Sequence, residues 1–180
     1  MNLHVNSNLA LELPSDVAPS SFVSRKKIDR RAELASQFIP AGARVLDLSG
    51  SAAIQRLLPG SCSYCGIDRT RRAVVACDLN TGDFPTEVAS QSDVIVMLGV
   101  LERITDIESL FTHLRFCKRD IILSYYATDL GKDVNRASLG YANHLSFRDL
   151  ALLFDRYGFR IECTTPIDGA QVLMRLRPTK

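Results

Sequence analysis

The order of apolar and polar positions along the chain predicts short strands that alternate with helices. Arg44–Leu48 and Tyr64–Asp68 are short apolar stretches bounded by turn residues, as is typical of buried strands. Ala73–Leu79 and Asp120–Ser124 have the same character. Asp93–Leu98 is a continuous apolar run, which is the pattern of a strand covered on both faces. The first two thirds of the chain therefore predict five strands.

Apolar residues at helical spacing occupy the intervals between these strands. Thr105 and Glu108 have the spacing of a capping box, and Ser146 is a typical N-cap for the last helix. The predicted helices, in chain order, run from Ser24 to Pro40, over the few residues before Pro59, from Thr105 to Cys117, and from Ser146 to Gly158.

Strands that alternate with helices predict a doubly wound α/β fold: a Rossmann-like, mostly parallel sheet between two helical layers, three layers in all. The chain ends in two alternating segments, Arg160–Thr165 and Ala170–Arg177, joined by an Asp-Gly pair, which predicts an antiparallel C-terminal hairpin. Only four residues separate Asp68 from Ala73. A parallel crossover usually takes about a dozen or more, so the usual crossover helix is expected to be missing there.

The length of 180 residues is typical of one domain. We expect a loosely docked N-terminal arm at 1–20 and a single domain at 21–180. The formal net charge of only +2 lacks the strongly basic character of most nucleic-acid-binding proteins. The basic runs at 25–31 and 69–72 nevertheless keep nucleic-acid modification open as a minor alternative.

The apolar runs and the cysteines predict a cytoplasmic protein. The longest apolar run, Val94–Leu101, is too short for a membrane span, which needs about 20 residues. Five cysteines are an odd number, which favours reduced thiols over a set of disulfides. Cys62 and Cys65 form a lone CxxC without the second pair of a typical zinc site, so no metal ligand is predicted.

Acidic residues stand at the carboxyl ends of three predicted strands. Asp47, Asp68 and Asp78 follow the first, second and third strand, and Asp68 lies at the spacing of an acid that binds ribose hydroxyls. The turn after the first strand contains a single glycine, Gly50, and not the GxGxxG of dinucleotide-binding proteins. A carboxylate at the first strand end also suits a cationic ligand better than a diphosphate. NAD is therefore disfavoured.

Five segments resemble motifs of the class I S-adenosylmethionine (SAM)-dependent methyltransferases. Val45–Ala53 is similar to their first motif, usually written VLDLGxGxG, and Tyr64–Asp68 is similar to their second. Asp78–Asn80 resembles the motif at the adenine edge, and Asp93–Ile104 resembles the fourth motif, commonly DVVxxxxVLEHI. The last helix and the hairpin after it resemble the final segment of the family. The resemblance begins near residue 25, and the fourth motif is its most specific part.

The resemblance implies SAM as the cofactor. Ser49, Ser51 and Ala53 stand where the family has glycines, and Arg103 stands where histidine is common. The implied cofactor residues are Asp47, Ser49, Gly50 and Ser51 for the methionyl part, Asp68 with Arg69 for the ribose, Asp78 and Leu79 for the adenine, and Leu98, Gly99, Val100 and Glu102 for the wall beside the methyl donor.

The segment 127–145 follows the fifth strand and is long for a connection without regular structure, which is typical of a substrate wall or lid. His144 in this segment is the one histidine placed where a general base could act, with a capping or packing role as the alternative. The predicted substrate residues are Tyr125, Tyr126, Arg136, Asn143 and His144.

Two functional hypotheses follow from these observations. The first is a SAM-dependent methyltransferase that acts on a hydroxyl or amine of a small molecule or saccharide. The second is a catalytically inactive protein with the methyltransferase fold that serves as a binding or regulatory module. The substituted glycine turn and the missing crossover helix motivate the second hypothesis. The sequence leaves the oligomeric state open.

Overall fold

The computed structural model describes residues 30–50, 52–68, 75–131 and 134–180, without the side chains of Ala52 and Asp68. The predicted arm at 1–20, Ser51 and the connection 69–74 with Arg69 lie outside the described residues. The expectation that a crossover helix is missing falls on that connection.

One mixed sheet runs through the described part of the chain, with the strand order β3-β2-β1-β4-β5-β7-β6. The strands are β1 (Arg44–Asp47), β2 (Ser63–Asp68), β3 (Val75–Ala76), β4 (Val94–Leu98), β5 (Asp120–Tyr126), β6 (Phe159–Asp168) and β7 (Gln171–Pro178). Strands β1 to β5 pair in parallel, and β7 is antiparallel to both β5 and β6. The predicted doubly wound sheet with its C-terminal antiparallel hairpin is confirmed.

Helices surround this sheet. Residues 30–36 are helical and form the described part of α1. The other helical segments are α2 (Ala52–Gln55), α3 (Thr86–Gln91), the 3-10 turn η1 (Leu101–Arg103), α4 (Ile107–Cys117) and α5 (Phe147–Arg156). None of the helices in the described ranges combines the length and the apolar character that crossing a membrane would require.

The side chains of β4 show why the sheet has two covered faces. Ile95 and Met97 belong to the apolar core that also contains residues of α4 and α5. Val94 and Val96 belong to the second core, formed with residues of α1 and α2. Successive side chains of a strand point to opposite faces, so an uninterrupted apolar run is what a central strand between two helical layers requires.

Three local predictions differ from the structure. The cap of α4 is Asp106, whose side chain accepts from the Ser109 amide, and not Thr105. The Thr105 hydroxyl donates instead to the Asn80 side chain. The predicted third strand ends at Ala76, three residues before Leu79, because a turn begins at Asp78. The short helix α3 was not predicted, since it buries only one residue and has no apolar stripe. The Ser146 cap is confirmed.

The C-terminal hairpin carries an ion cluster at the edge of the sheet. Arg175 on β7 lies 2.9 Å from Asp120 on β5 and 3.1 Å from Glu162 on the edge strand β6. Arg177 lies 3.6 Å from Asp120 and 2.9 Å from Glu162. Two basic and two acidic side chains therefore alternate across three neighbouring strands.

Candidate active site

A cavity of about 340 Å³ opens at the carboxyl ends of the parallel strands. Strand order reverses between β1 and β4, and ligands of open α/β sheets bind outside such a reversal. The cavity contains six of the predicted cofactor residues. Its lining consists of Leu48, Ser49, Ile67, Cys77, Asp78, Leu79, Asn80, Leu98, Gly99, Val100, Arg103, Ile104 and Gly140.

Asp47 lies beneath this cavity and is fully buried. One of its carboxylate oxygens accepts from the amide of Ser49, 2.8 Å away, and from the Ser49 hydroxyl. The other oxygen accepts from the phenol of Tyr64 at 2.8 Å. Asp47 is not among the residues that line the cavity. The structure therefore gives Asp47 a clear part in shaping the first turn, and its predicted contact with the methionyl group stays a prediction.

Tyr64 reaches Asp47 because Gly66 has no side chain. A Cβ atom built on Gly66 would lie 2.8 Å from the Tyr64 phenol oxygen. Tyr64 and Gly66 are two residues apart on β2, so they share a face of the sheet. Burial, together with the negative charge of Asp47, raises the pKa of Tyr64, which therefore remains a neutral hydrogen-bond donor.

The turn after β1 has one residue with a positive φ, Gly50 at 63°. Ser49 lines the cavity with its small side chain directed back to Asp47. Gly50 itself is not part of the lining, and the predicted contact of Ser51 lies outside the described residues.

The turn after β3 forms the opposite wall. Asp78 and Leu79 line the cavity as the sequence predicts. The Asp78 side chain accepts from the amide of Asn80 at 3.1 Å, and Asn80 in turn donates to the carbonyl of Arg103 at 3.0 Å. Asn80 was missing from the predicted site, although it belongs to the Asp-Leu-Asn segment that carried the resemblance. Its side chain joins the β3 turn to η1 and so fixes the width of the cavity.

Three of the four residues predicted to form the wall at the end of β4 are part of the cavity lining. Leu98, Gly99 and Val100 line the cavity, and Glu102 does not. Gly99 has a φ of 70°, a conformation that side chains rarely adopt. Its amide donates to the Ser124 hydroxyl at 2.9 Å.

Glu102 is fully buried behind this wall. Its Oε1 accepts from the amide of Tyr126 at 3.1 Å, and its Oε2 has no hydrogen-bond partner among the described residues. Burial raises the pKa of Glu102 to about 7, although Arg31 and Arg136 oppose the rise. The carboxyl is therefore only partly ionised near neutral pH.

The part of the segment from 134 to 145 is held against η1 by a buried polar network. Arg136 is buried and donates to the carbonyls of Asn143 and Tyr126 and to the phenol of Tyr125. The side-chain amide of Asn143 donates to the backbone carbonyls of Leu101 and Ile104 at 2.6 and 3.1 Å. The phenol of Tyr125 donates to the Asn143 side chain.

The structure brings the predicted substrate residues Tyr125, Arg136 and Asn143 together. Their hydrogen bonds go to one another and to backbone carbonyls, so they stabilise the segment. None of the five predicted substrate residues belongs to the cavity lining. His144 is exposed, and Tyr126 is half-buried beside the network. Their roles toward an acceptor stay predictions.

Arg31 is a site residue that sequence reasoning missed. It is the last residue of the basic run at 25–31, and its guanidinium lies over Gly99: a Cβ atom on Gly99 would be 2.6 Å from Nη1. Burial lowers the pKa of Arg31, and the charges of Glu102 and Asp168 oppose that effect. No periodic signal in the sequence distinguishes Arg31 from its basic neighbours, since the contact depends on where α1 meets the end of β4.

Comparison with known proteins identifies the fold. No protein-family model matches the chain, and no curated protein matches it either. Among solved structures, a mitomycin 7-O-methyltransferase is similar with a TM-score of 0.63 and 16% identity over 87% of this chain. An O-methyltransferase of neocarzinostatin biosynthesis, in complex with SAM and 2-hydroxy-5-methyl naphthoic acid, has a TM-score of 0.61 and 16% identity over 88% of this chain.

The chain spans only 55% and 57% of those two proteins. A Burkholderia thailandensis 1,6-didemethyltoxoflavin-N1-methyltransferase, with bound 1,6-didemethyltoxoflavin and S-adenosylhomocysteine, is similar over nearly its full length. Its TM-score is 0.61 at 14% identity, with 98% of this chain and 94% of that chain covered. The chain therefore has the class I SAM-dependent methyltransferase fold.

Proposed function

We propose that this chain is a SAM-dependent methyltransferase that acts on a small-molecule acceptor. The cavity at the strand-order reversal is the observation that carries the proposal, because four sequence motifs meet in its lining. Its volume of about 340 Å³ lies within the usual range of small-molecule sites, about 300–1,000 Å³.

The lining suits an adenosyl compound chemically. Ile67, Leu79 and Leu98 provide apolar walls for a heterocycle, while Asp78 offers a carboxylate at the same end. The left-handed Gly99 has no side chain, and this leaves room for the Arg31 guanidinium beside the cavity. We assign the adenosyl part to the side of β2 and β3, and the methionyl part to the turn that contains Ser49.

Methyl transfer asks little covalent chemistry of the protein. SAM, when bound, supplies an electrophilic methyl group on a sulfonium. The chain has to hold the acceptor oxygen or nitrogen in line with that methyl and exclude water. His144 is our candidate to accept the proton that a hydroxyl or amine acceptor loses. The small molecules bound in two of the similar structures, 2-hydroxy-5-methyl naphthoic acid and 1,6-didemethyltoxoflavin, support a small acceptor. A saccharide stays a second candidate for the acceptor.

The free cysteines support a reducing compartment such as the cytoplasm as the place where the protein acts.

Isothermal titration with S-adenosylhomocysteine tests the cofactor assignment directly. We expect saturable binding, and at least a tenfold loss of affinity in Asp78→Asn. Asp83→Asn is the matched control, since Asp83 is an exposed acid of the same turn outside the cavity lining. Absence of binding at millimolar ligand, or equal affinities in the two variants, would contradict the assignment.

One observation favours the second candidate, a binding module without methyl transfer. Both carboxylate oxygens of Asp47 accept hydrogen bonds within the chain, from Ser49 and from Tyr64. A module of this kind would bind S-adenosylhomocysteine but transfer no methyl group from isotopically labelled SAM to any acceptor of a broad panel. Transfer to one acceptor, detected by mass spectrometry, excludes it.

A further inference from the structure

Two arginines lie against one aromatic ring beside the cavity, and a third interacts electrostatically with it. The Cζ of Arg136 lies 4.9 Å from the centroid of the Tyr141 ring, and the Cζ of Arg103 lies 5.9 Å from it. Arg31 interacts electrostatically with both Tyr141 and Arg103. Three cations from α1, η1 and the segment 127–145 therefore meet at the ends of β4 and β5.

The arginines differ in what they bind. Arg136 is committed to the buried network, where it donates three hydrogen bonds. Arg31 and Arg103 form no ion pair with any carboxylate in the described ranges, and the Nε of Arg31 is buried without a hydrogen-bond partner there. The charge of Arg103 disfavours the charged form of Arg31, and an anion bound near both would offset that repulsion.

The carboxyl of Glu102 neutralises only part of the positive charge of these arginines. Glu102 is fully buried, and one of its oxygens lacks a hydrogen-bond partner among the described residues. With a pKa raised by burial to about 7, it carries only part of a negative charge near neutral pH. Asp168 contributes a further attraction to Arg31. Neither carboxylate forms an ion pair with Arg31 or Arg103 in the described ranges, so both guanidinium groups keep donors for a ligand.

Both arginines are within reach of a ligand in the cavity. Arg103 lines it directly, and the Arg31 guanidinium lies over Gly99, which also lines it. The proposed function assigns the side of β2 and β3 to the adenosyl part. The acceptor then has to approach from the side of β4 and β5, where these two guanidinium groups lie.

We propose that Arg31 and Arg103 form a carboxylate-binding subsite for the methyl acceptor, with the Tyr141 ring packing against its planar part. The inference rests on the proposed function and narrows it to acceptors such as hydroxyaromatic acids. Guanidinium groups bind carboxylates through paired hydrogen bonds, which fixes orientation as well as charge. The subsite would align the acceptor hydroxyl while leaving that hydroxyl free to react.

Paired ligands test the subsite. Protein saturated with S-adenosylhomocysteine is titrated calorimetrically with 2-hydroxybenzoate and 1-hydroxy-2-naphthoate, and with the neutral carboxamide of each. We expect at least a tenfold preference for an acid over its amide. Arg31→Gln and Arg103→Gln should each reduce that preference to threefold or less when the variants are saturated with S-adenosylhomocysteine. Arg30→Gln is the control, because Arg30 is an exposed neighbour on α1.

The outcomes separate the subsite from the proposed function. Failure of both acids to bind, or equal binding of acids and amides, overturns the subsite. Loss of S-adenosylhomocysteine affinity in the two variants, with 5′-methylthioadenosine unaffected, assigns the arginines to the cofactor carboxylate and overturns the acceptor assignment. If the unmodified protein does not bind S-adenosylhomocysteine, the proposed function fails. An acid preference in the protein without that ligand would then still support the subsite.

Discussion

The phenol of Tyr64 donates a 2.8 Å hydrogen bond to the fully buried carboxylate of Asp47, across two parallel strands and beneath the candidate cofactor cavity. The same carboxylate holds the first turn through Ser49. Asp47 therefore acts within the chain as an organiser of the turn, whatever else it contacts when a ligand binds.

Tyr64→Phe removes this hydrogen bond without creating a large cavity. We expect the free energy of unfolding to fall by about 2 kcal/mol, because a hydrogen bond to a buried charged group is lost. Gly66→Ala should have a similar effect, since its Cβ atom would displace the phenol from Asp47. Urea denaturation measures both. Wild-type stability in both variants would show that the bond contributes nothing.

The raised pKa of Glu102 predicts how stability depends on pH. Its pKa is about 7 in the folded protein and about 4.3 in an unfolded chain, so the folded state keeps the proton to a higher pH. The free energy of unfolding should therefore fall as the pH rises from about 4 to about 7, by up to about 3 kcal/mol, and then level off. Glu102→Gln should flatten this part of the profile.

Urea denaturation between pH 4.5 and pH 8 measures the effect of Glu102→Gln. Glu33→Gln is the control, because Glu33 is an exposed glutamate on α1 and should leave the profile unchanged. Parallel profiles for the wild type and Glu102→Gln would contradict the assignment of this pH dependence to Glu102.

Asn143 holds the segment 127–145 against η1 through two backbone carbonyls and the phenol of Tyr125. Asn143→Ala should lower the free energy of unfolding by about 3 kcal/mol, because buried carbonyls and a phenol lose their partner. Asn135→Ala changes the same residue type in the same segment at an exposed position and loses only the hydrogen bond from the Ser138 amide, so it should cost about 1 kcal/mol. Equal effects would mean that the network does not fix the segment.

Gly99→Ala should disturb the cavity in a way that Gly82→Ala does not. Both glycines have a positive φ, at 70° and 84°, so alanine at either position should cost about 1 kcal/mol of backbone strain. Only at Gly99 would the new Cβ atom meet another group, Nη1 of Arg31 at 2.6 Å. The displaced guanidinium belongs to the proposed carboxylate subsite, so we expect Gly99→Ala alone to lower the preference for 2-hydroxybenzoate over its amide to threefold or less. Equal preferences in the two variants would contradict this expectation.

The sequence predicts the sheet well because the fold depends on patterns that one strand or helix carries alone. The apolar run of β4 indicates a strand covered on both faces, and the Asp-Gly pair indicates the hairpin. Helix α3 escapes prediction because a six-residue helix with one buried alanine leaves no periodic signal.

The site is less predictable because it depends on contacts between elements. The six predicted residues that line the cavity follow strand ends, whose common edge is fixed by parallel pairing. Arg31 could not be identified, since its contact with Gly99 requires the position of α1 relative to β4. The bond between Tyr64 and Asp47 likewise requires the register of β1 and β2.

The ion cluster of Arg175, Arg177, Asp120 and Glu162 affects how the protein behaves in a crowded solution. Strand β6 ends the sheet, and an unpaired strand edge is a template on which other chains can aggregate. A foreign strand that paired with β6 would lie beside Glu162 and would have to strip water from this charged residue. The hairpin therefore carries its own protection against uncontrolled growth of the sheet.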